Sequence, residues 1–148
     1  MKKIKQNSYP ATSNLLVNVP DNEKNIVLYF YPKDATPGCT TEGQDFRDNY
    51  QSFLDNNCLV YGVSKDNINK HEKFKAKQKF PFELIADIDG KLCELFEVWQ
   101  LKKFMGREYM GIVRSTFIIN PKGEILKQWD NVKVKGHVLE VLGVIKSL

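Results

Sequence analysis

The chain has 148 residues, 42% hydrophobic and 27% charged, which predicts one folded domain over 1–148 with a core of its own. Its 22 basic and 18 acidic side chains leave a net charge of +4, with no arginine-rich patch, aromatic platform or zinc-finger spacing, so a nucleic-acid partner is not expected. No run approaches the length of a membrane span, and "MKKIKQNSYP" lacks the apolar stretch of a signal peptide; the expectation is a cytoplasmic protein with no membrane partner. Cysteines at 39, 58 and 93 are odd in number and widely spaced, unlike a secreted disulfide framework. His71 and His137 are isolated in sequence, so no zinc-ligand spacing arises and no metal or other cofactor is expected.

From the N-terminus, "SYPATSNLLVNVPDNEKN" is a short lead-in. "NIVLYFYP" (25–32) is a continuous apolar run closed by proline and reads as a buried central strand. After "KDATPG", Phe46, Tyr50, Phe53 and Leu54 recur on one face of a helix. "LVYGVS" (59–64) is a second buried strand. The segment "NKHEKFKAKQK" (69–79) then reads as a helix whose lysines spread around it as a solvated surface. "FELIAD" (82–87) is a short strand, and "GKLCELFEVW" places Leu92, Leu95, Phe96 and Trp99 at helical spacing. "IVRSTFIIN" (112–120), the turn "PKG" and "EILKQWD" (124–130) predict a hairpin. A last helix carries Val138, Val141, Leu142 and Ile145 on one face. The order β-α-β-α-β-α-β-β-α defines an α/β domain in which helices cover a mixed sheet. Ligands in such folds gather at strand carboxyl ends beside helix N-termini.

Cys39 lies at such a junction, between the turn formers Pro37-Gly38 and the hydroxyls of Thr40-Thr41. A thiol at the ordinary pKa of about 8.5 is only a few per cent thiolate at neutral pH, so a reactive cysteine needs stabilisation of its anion. A helix N-terminus supplies about 0.3–2 kcal/mol; a nearby cation shifts a pKa by about 1–3 units. Alternation in "IVRSTFII" puts Arg114 on one strand face with Ile112, Thr116 and Ile118. An arginine there either meets an anionic partner or reaches solvent from an edge, and the spacing leaves both open.

"PKDATPGC" fits the P-x-x-x-T-x-x-C active-site signature of peroxiredoxins. The longer stretches "VLYFYPKDATPGCTTEGQDFRD", "DIDGKLCELF" and "VWQLKKFMGREYMGIVRSTFII" resemble the bacterioferritin comigratory protein (Q-type) branch, from about residue 25 to the C-terminus. The resemblance implies a thioredoxin-like fold and reduction of hydrogen peroxide and organic hydroperoxides at the expense of a thiol. It makes Cys39 the peroxidatic cysteine, with Pro32, Thr36 and Arg114 completing the site. Gly38 would permit close backbone packing. Glu42, one turn beyond Cys39, would either orient Arg114 or face solvent.

Many members of that branch carry a resolving cysteine five residues after the peroxidatic one, where this chain has Gln44. Cys58 precedes an apolar strand and Cys93 flanks an apolar helix stripe, so both read as core residues. The expectation is a monomeric one-cysteine peroxidase recycled by an external thiol: thioredoxin, glutaredoxin or glutathione. The competing readings are three. A dithiol oxidoreductase lacks its C-x-x-C, since Glu42 and Thr36 flank Cys39 at that spacing. A peroxide sensor or holdase would use the same cysteine with little turnover. A binding module would leave the Pro-Thr-Cys-Arg set as coincidence.

Overall fold

The computed structural model describes residues 3–148. In chain order the elements are β1 (Asn7–Ala11), β2 (Leu15–Val19), β3 (Asn25–Phe30), α1 (Pro37–Asp55), β4 (Cys58–Ser64), α2 (Ile68–Gln78) and β5 (Glu83–Ala86). They continue as α3 (Lys91–Leu95), β6 (Trp99–Phe104), β7 (Arg107–Ile112), β8 (Ser115–Ile119), β9 (Ile125–Trp129) and α4 (His137–Lys146). Seven strands form one sheet in the order β2-β1-β5-β4-β3-β8-β9. The β3–β4 and β4–β5 pairs are parallel, whereas β8 runs antiparallel to β3. This is the mixed sheet with flanking helices that the element order predicts.

The run in β3 is apolar at nearly every position because the strand is buried on both faces. Its odd members, Val27 and Tyr29, join the aromatic side chains of Phe46 and Phe53 from α1 and Val141 from α4. Its even members, Ile26, Leu28 and Phe30, pack on the opposite side with Leu92, Cys93 and Phe96. The sheet therefore separates two apolar layers, and α1 lies on the first. Its N-terminus, carrying Cys39, meets the carboxyl end of β3.

Three expectations change. The stripe at 90–99 is helical only over Lys91–Leu95; Trp99 starts β6, where it is partly exposed beneath the Lys65 ammonium, 4.1 Å from the ring centroid. Its helical spacing is a coincidence of a one-turn helix followed by an edge strand. The segment 112–120 is not one strand: Ile112 ends β7, Val113 and Arg114 form a link, and β8 begins at Ser115. Arg114 thus stands outside the alternation that paired it with Thr116. Finally, Lys70, Lys73 and Lys77 of α2 do share a side, lining with Lys33 a cavity of about 300 Å³. The short lead-in accommodates the β1–β2 hairpin, its turn closed by Ser13 and Asn14 at positive φ. No described helix is long and apolar enough to cross a membrane.

Candidate active site

Helix α1 starts where the sequence has its turn formers. Thr36 is the N-cap, with extended backbone, and Pro37 occupies the first turn, where its missing N–H costs nothing. The Thr36 side chain does not cap the helix; its hydroxyl donates to the Lys33 carbonyl at 2.8 Å. Ala35 takes φ of 62°, a left-handed conformation that costs a residue with a Cβ about 1–2 kcal/mol, so other contacts must hold this loop in place.

Cys39, in the first turn of α1, is 2% exposed, more enclosed than an accessible thiol would be. The guanidinium of Arg114 reaches it from the β7–β8 link: Nη2 donates to Sγ at 3.3 Å. The other terminal nitrogen, Nη1, donates to Glu42 Oε1 at 2.6 Å. Of the two sequence alternatives for Arg114, the anionic partner is the one observed, and Glu42 is fully buried instead of facing solvent. Gly38 has a specific reason to lack a side chain, since a Cβ there would lie 3.1 Å from Arg114 Nη2. Pro32 is exposed at the start of the loop leaving β3.

The electrostatics follow from burial. Desolvation pushes the Glu42 carboxyl up to about 7, against the pull of the adjacent Arg114 charge. Burial works to lower the Arg114 pKa, but the charges of Glu42 and Cys39 outweigh it and raise the guanidinium further. Glu42 Oε2 and the Tyr29 hydroxyl are both buried without a hydrogen-bond partner among the described residues. Lys102, on β6, is a second cation at the mouth of the site. It donates to the Ile112 carbonyl at 3.0 Å and shares with Arg114 the wall of a cavity of about 440 Å³. Burial and the Arg114 charge lower its pKa, opposed by Cys39.

The other cysteines stand elsewhere. Cys58 follows the far end of α1, and the run from Cys39 to Asp55 spans about 24 Å at the helical rise of 1.5 Å per residue. Burial pushes its thiol up to about 12. Cys93 lies across the sheet in the opposite apolar layer, its thiol raised by burial and by Asp87. Sequence reasoning missed Lys102, because the β6–β7 ribbon was not anticipated. It also missed Asp34 and His71, hidden in a turn motif and in a lysine-rich helix; the only signal for them was a histidine on the buried face of an otherwise charged helix.

Residues 4–128 match the model of the AhpC/TSA family, and the chain belongs to that family. It is 55% identical over 125 residues to Peroxiredoxin Bcp of Bacillus subtilis (strain 168), covering 84% of this chain and 80% of that protein. To Peroxiredoxin Bcp of Escherichia coli (strain K12) it is 37% identical over 141 residues, 95% and 90% of the two chains. In solved structures it is similar to the bacterioferritin comigratory protein of Xanthomonas campestris, described for alkyl peroxide reduction. The TM-score is 0.89 at 38% identity, covering 95% of this chain and 90% of that one. The fold is thioredoxin-like and the chain is a peroxiredoxin, an oxidoreductase that reduces peroxides with electrons from thiols.

Proposed function

We propose that Cys39 is the peroxidatic cysteine and that the protein works by a one-cysteine mechanism as a single-domain monomer in the cytoplasm. The observation that carries this reading is the Arg114 guanidinium, bonded through one nitrogen to Cys39 Sγ and through the other to Glu42. A fixed donor fork at the sulfur favours the thiolate and stays in place for the negative charge that moves to the leaving oxygen.

In the first half-reaction the thiolate attacks the distal oxygen of hydrogen peroxide or an organic hydroperoxide. The S–O bond forms as the O–O bond breaks, the sulfur is oxidised to sulfenic acid, and the leaving oxygen takes a proton to depart as water or alcohol. Thr36 already gives its proton to the Lys33 carbonyl, so its oxygen is available to accept the hydrogen bond of a peroxide O–H. Pro32, with no N–H, bounds the loop without offering the thiolate a competing donor.

In the second half-reaction an external thiol (thioredoxin, glutaredoxin or glutathione) attacks the sulfenic sulfur, releasing water and leaving a mixed disulfide. A second thiol equivalent then frees Cys39. The distances support an external partner: a disulfide requires Cα atoms within about 7 Å. Cys58 is beyond the far end of a 19-residue helix and Cys93 is across the sheet.

The test is oxidation with one equivalent of hydrogen peroxide without reductant, followed by mapping of all three sulfurs. The expected product is a sulfenic acid on Cys39 that dimedone traps. A rapid, quantitative Cys39–Cys58 or Cys39–Cys93 disulfide would overturn the one-cysteine reading.

A further inference from the structure

A second buried polar cluster lies on the same loop, on the side away from Arg114. The Asp34 carboxylate accepts from the Tyr31 hydroxyl at 2.6 Å through Oδ1 and meets His71 Nδ1 at 2.6 Å through Oδ2. Its backbone N–H donates to Asp66 Oδ2 at 2.9 Å, and that oxygen also accepts from the Ser64 hydroxyl at 2.6 Å. The remaining ring nitrogen of His71, Nε2, lies 2.9 Å from the Ile85 carbonyl. His71 is wholly buried, and Asp34 nearly so.

Counting hydrogens fixes what the pair must hold. A carbonyl can only accept, so Nε2 carries a hydrogen. A bare Nδ1 facing a bare carboxylate oxygen at 2.6 Å would set lone pair against lone pair. One further proton therefore sits between His71 and Asp34, as imidazolium with carboxylate or as imidazole with carboxylic acid. Asp34, Asp66 and His71 are also close enough to share a cation, but the atoms that would bind it are already engaged with one another and with Ser64.

Asp34 is thereby tied to the chain just after β3 through Tyr31, to α2 through His71 and to the β4–α2 connection through Asp66. Immediately after it comes Ala35 in its left-handed conformation, then Thr36 and the first turn of α1. We propose that His71 and Asp34 form a proton-bearing latch that positions Thr36 and Cys39 for reaction with peroxide. Both are positioning residues, acting through the loop and touching neither peroxide nor sulfur. The proposal rests on Cys39 being the reacting thiol, so wild-type sulfenic-acid mapping comes first: oxidation mapped to another cysteine sinks that reading and leaves the loop geometry as it is.

The experiment is a double-mutant cycle with two readouts, the urea unfolding midpoint and the second-order rate of peroxide oxidation of Cys39. His71→Leu alone leaves the buried Asp34 Oδ2 without its imidazole partner and should lower both. Asp34→Ala/His71→Leu removes the pair together and leaves only the neutral Tyr31 hydroxyl and Ile85 carbonyl without partners, so its midpoint should lie above that of His71→Leu while peroxide oxidation stays at least tenfold slow. Stability recovered without rate is the signature of positioning. A double variant that oxidises at the wild-type rate would overturn the proposal. If His71→Leu fails to fold, His71→Gln keeps a donor towards Asp34 without the extra proton. It should fold and oxidise more slowly than wild type, and a wild-type rate there would equally refute the latch.

Discussion

The first turn of α1 and the first turn of α3 each bury a cysteine beside a buried carboxylate, yet they offer opposite chemistry. At Cys39 the carboxylate is Glu42, held by the Arg114 guanidinium that also touches the sulfur. At Cys93 it is Asp87, which accepts the backbone N–H groups of Leu92 and Cys93 at 3.0 and 2.9 Å and has no arginine near it among the described contacts. Each thiol also feels a lysine, Lys102 in one case and Lys65 in the other. Burial and a nearby acid are thus common to both. The difference is a cation in contact, and without it burial and Asp87 push the Cys93 thiol upward. A helix start by itself, worth about 0.3–2 kcal/mol, does not make a cysteine reactive.

The sharpest way to break this comparison is to exchange the sulfurs for oxygens one at a time. Cys39→Ser should bring peroxide turnover to the background rate with the fold intact. Cys58→Ser and Cys93→Ser should each keep turnover within about twofold, because neither thiol reaches the peroxide. Steady-state assays with hydrogen peroxide and an alkyl hydroperoxide decide it; residual turnover in Cys39→Ser would move the chemistry to another sulfur.

Arg114→Lys comes next in size. A single ammonium cannot bridge Sγ and Glu42 as two nitrogens of one planar group do. Oxidation of Cys39 should slow by about 10- to 150-fold at neutral pH, because the variant keeps the charge but loses one of the two donated hydrogen bonds, each worth about 1.5–3 kcal/mol to a charged group. Stopped-flow oxidation gives the rate, and an unchanged rate would place Arg114 outside the chemistry.

Glu42→Gln probes the acid. Burial raises the Glu42 carboxyl from 4.5 to about 7, so the folded protein holds its proton where the unfolded chain has lost it. That contribution is fully present below pH 4.5 and is lost as pH rises through 7, at up to about 1.4 kcal/mol per pH unit. Gln imitates the protonated form at every pH. The stability of the variant relative to wild type should therefore increase between pH 5 and pH 8, measured by urea unfolding. A difference that stays flat would mean that Glu42 is ionised throughout.

What the sequence disclosed divides along the same line. Strands β3 and β4, α1, and the β8–β9 hairpin were legible because their apolar periodicities answer to local burial. The position of Cys39 was legible because Pro37, Gly38 and the hydroxyl residues mark a helix start. Contact between Arg114 and the sulfur was legible only through the family resemblance and not from spacing, since 75 residues separate them and the arginine stands in a link and not on the strand face. The β6–β7 ribbon was hidden because its side chains are largely exposed, with Leu101, Phe104, Met105 and Met110 outward, so no buried face imposes a period on it. The Asp34–His71 bond was equally invisible: its partners belong to a turn and a helix that each look polar by themselves.

The smallest expected effect tests whether the second cations matter at all. Lys102 is placed with some care: its stem passes over Gly111, where a Cβ would lie 3.1 Å from its Cδ, and its ammonium donates to Ile112 two residues before Arg114. Its pKa is lowered by burial and by Arg114 and supported by Cys39, so it adds positive potential where the thiolate forms without contacting it. Lys65, by contrast, is spent on the face of Trp99, and its pull on Cys93 is outweighed by burial and Asp87. Lys102→Met should slow peroxide oxidation of Cys39 by about two- to tenfold, within the scale of partly screened charge interactions. The deficit should shrink as salt is added, since salt weakens the same interaction in the wild type. Lys65→Met should leave both Cys39 oxidation and the inertness of Cys93 to iodoacetamide unchanged. If Lys102→Met matched wild type at low salt, contact with Arg114 alone would account for the difference between the two cysteines.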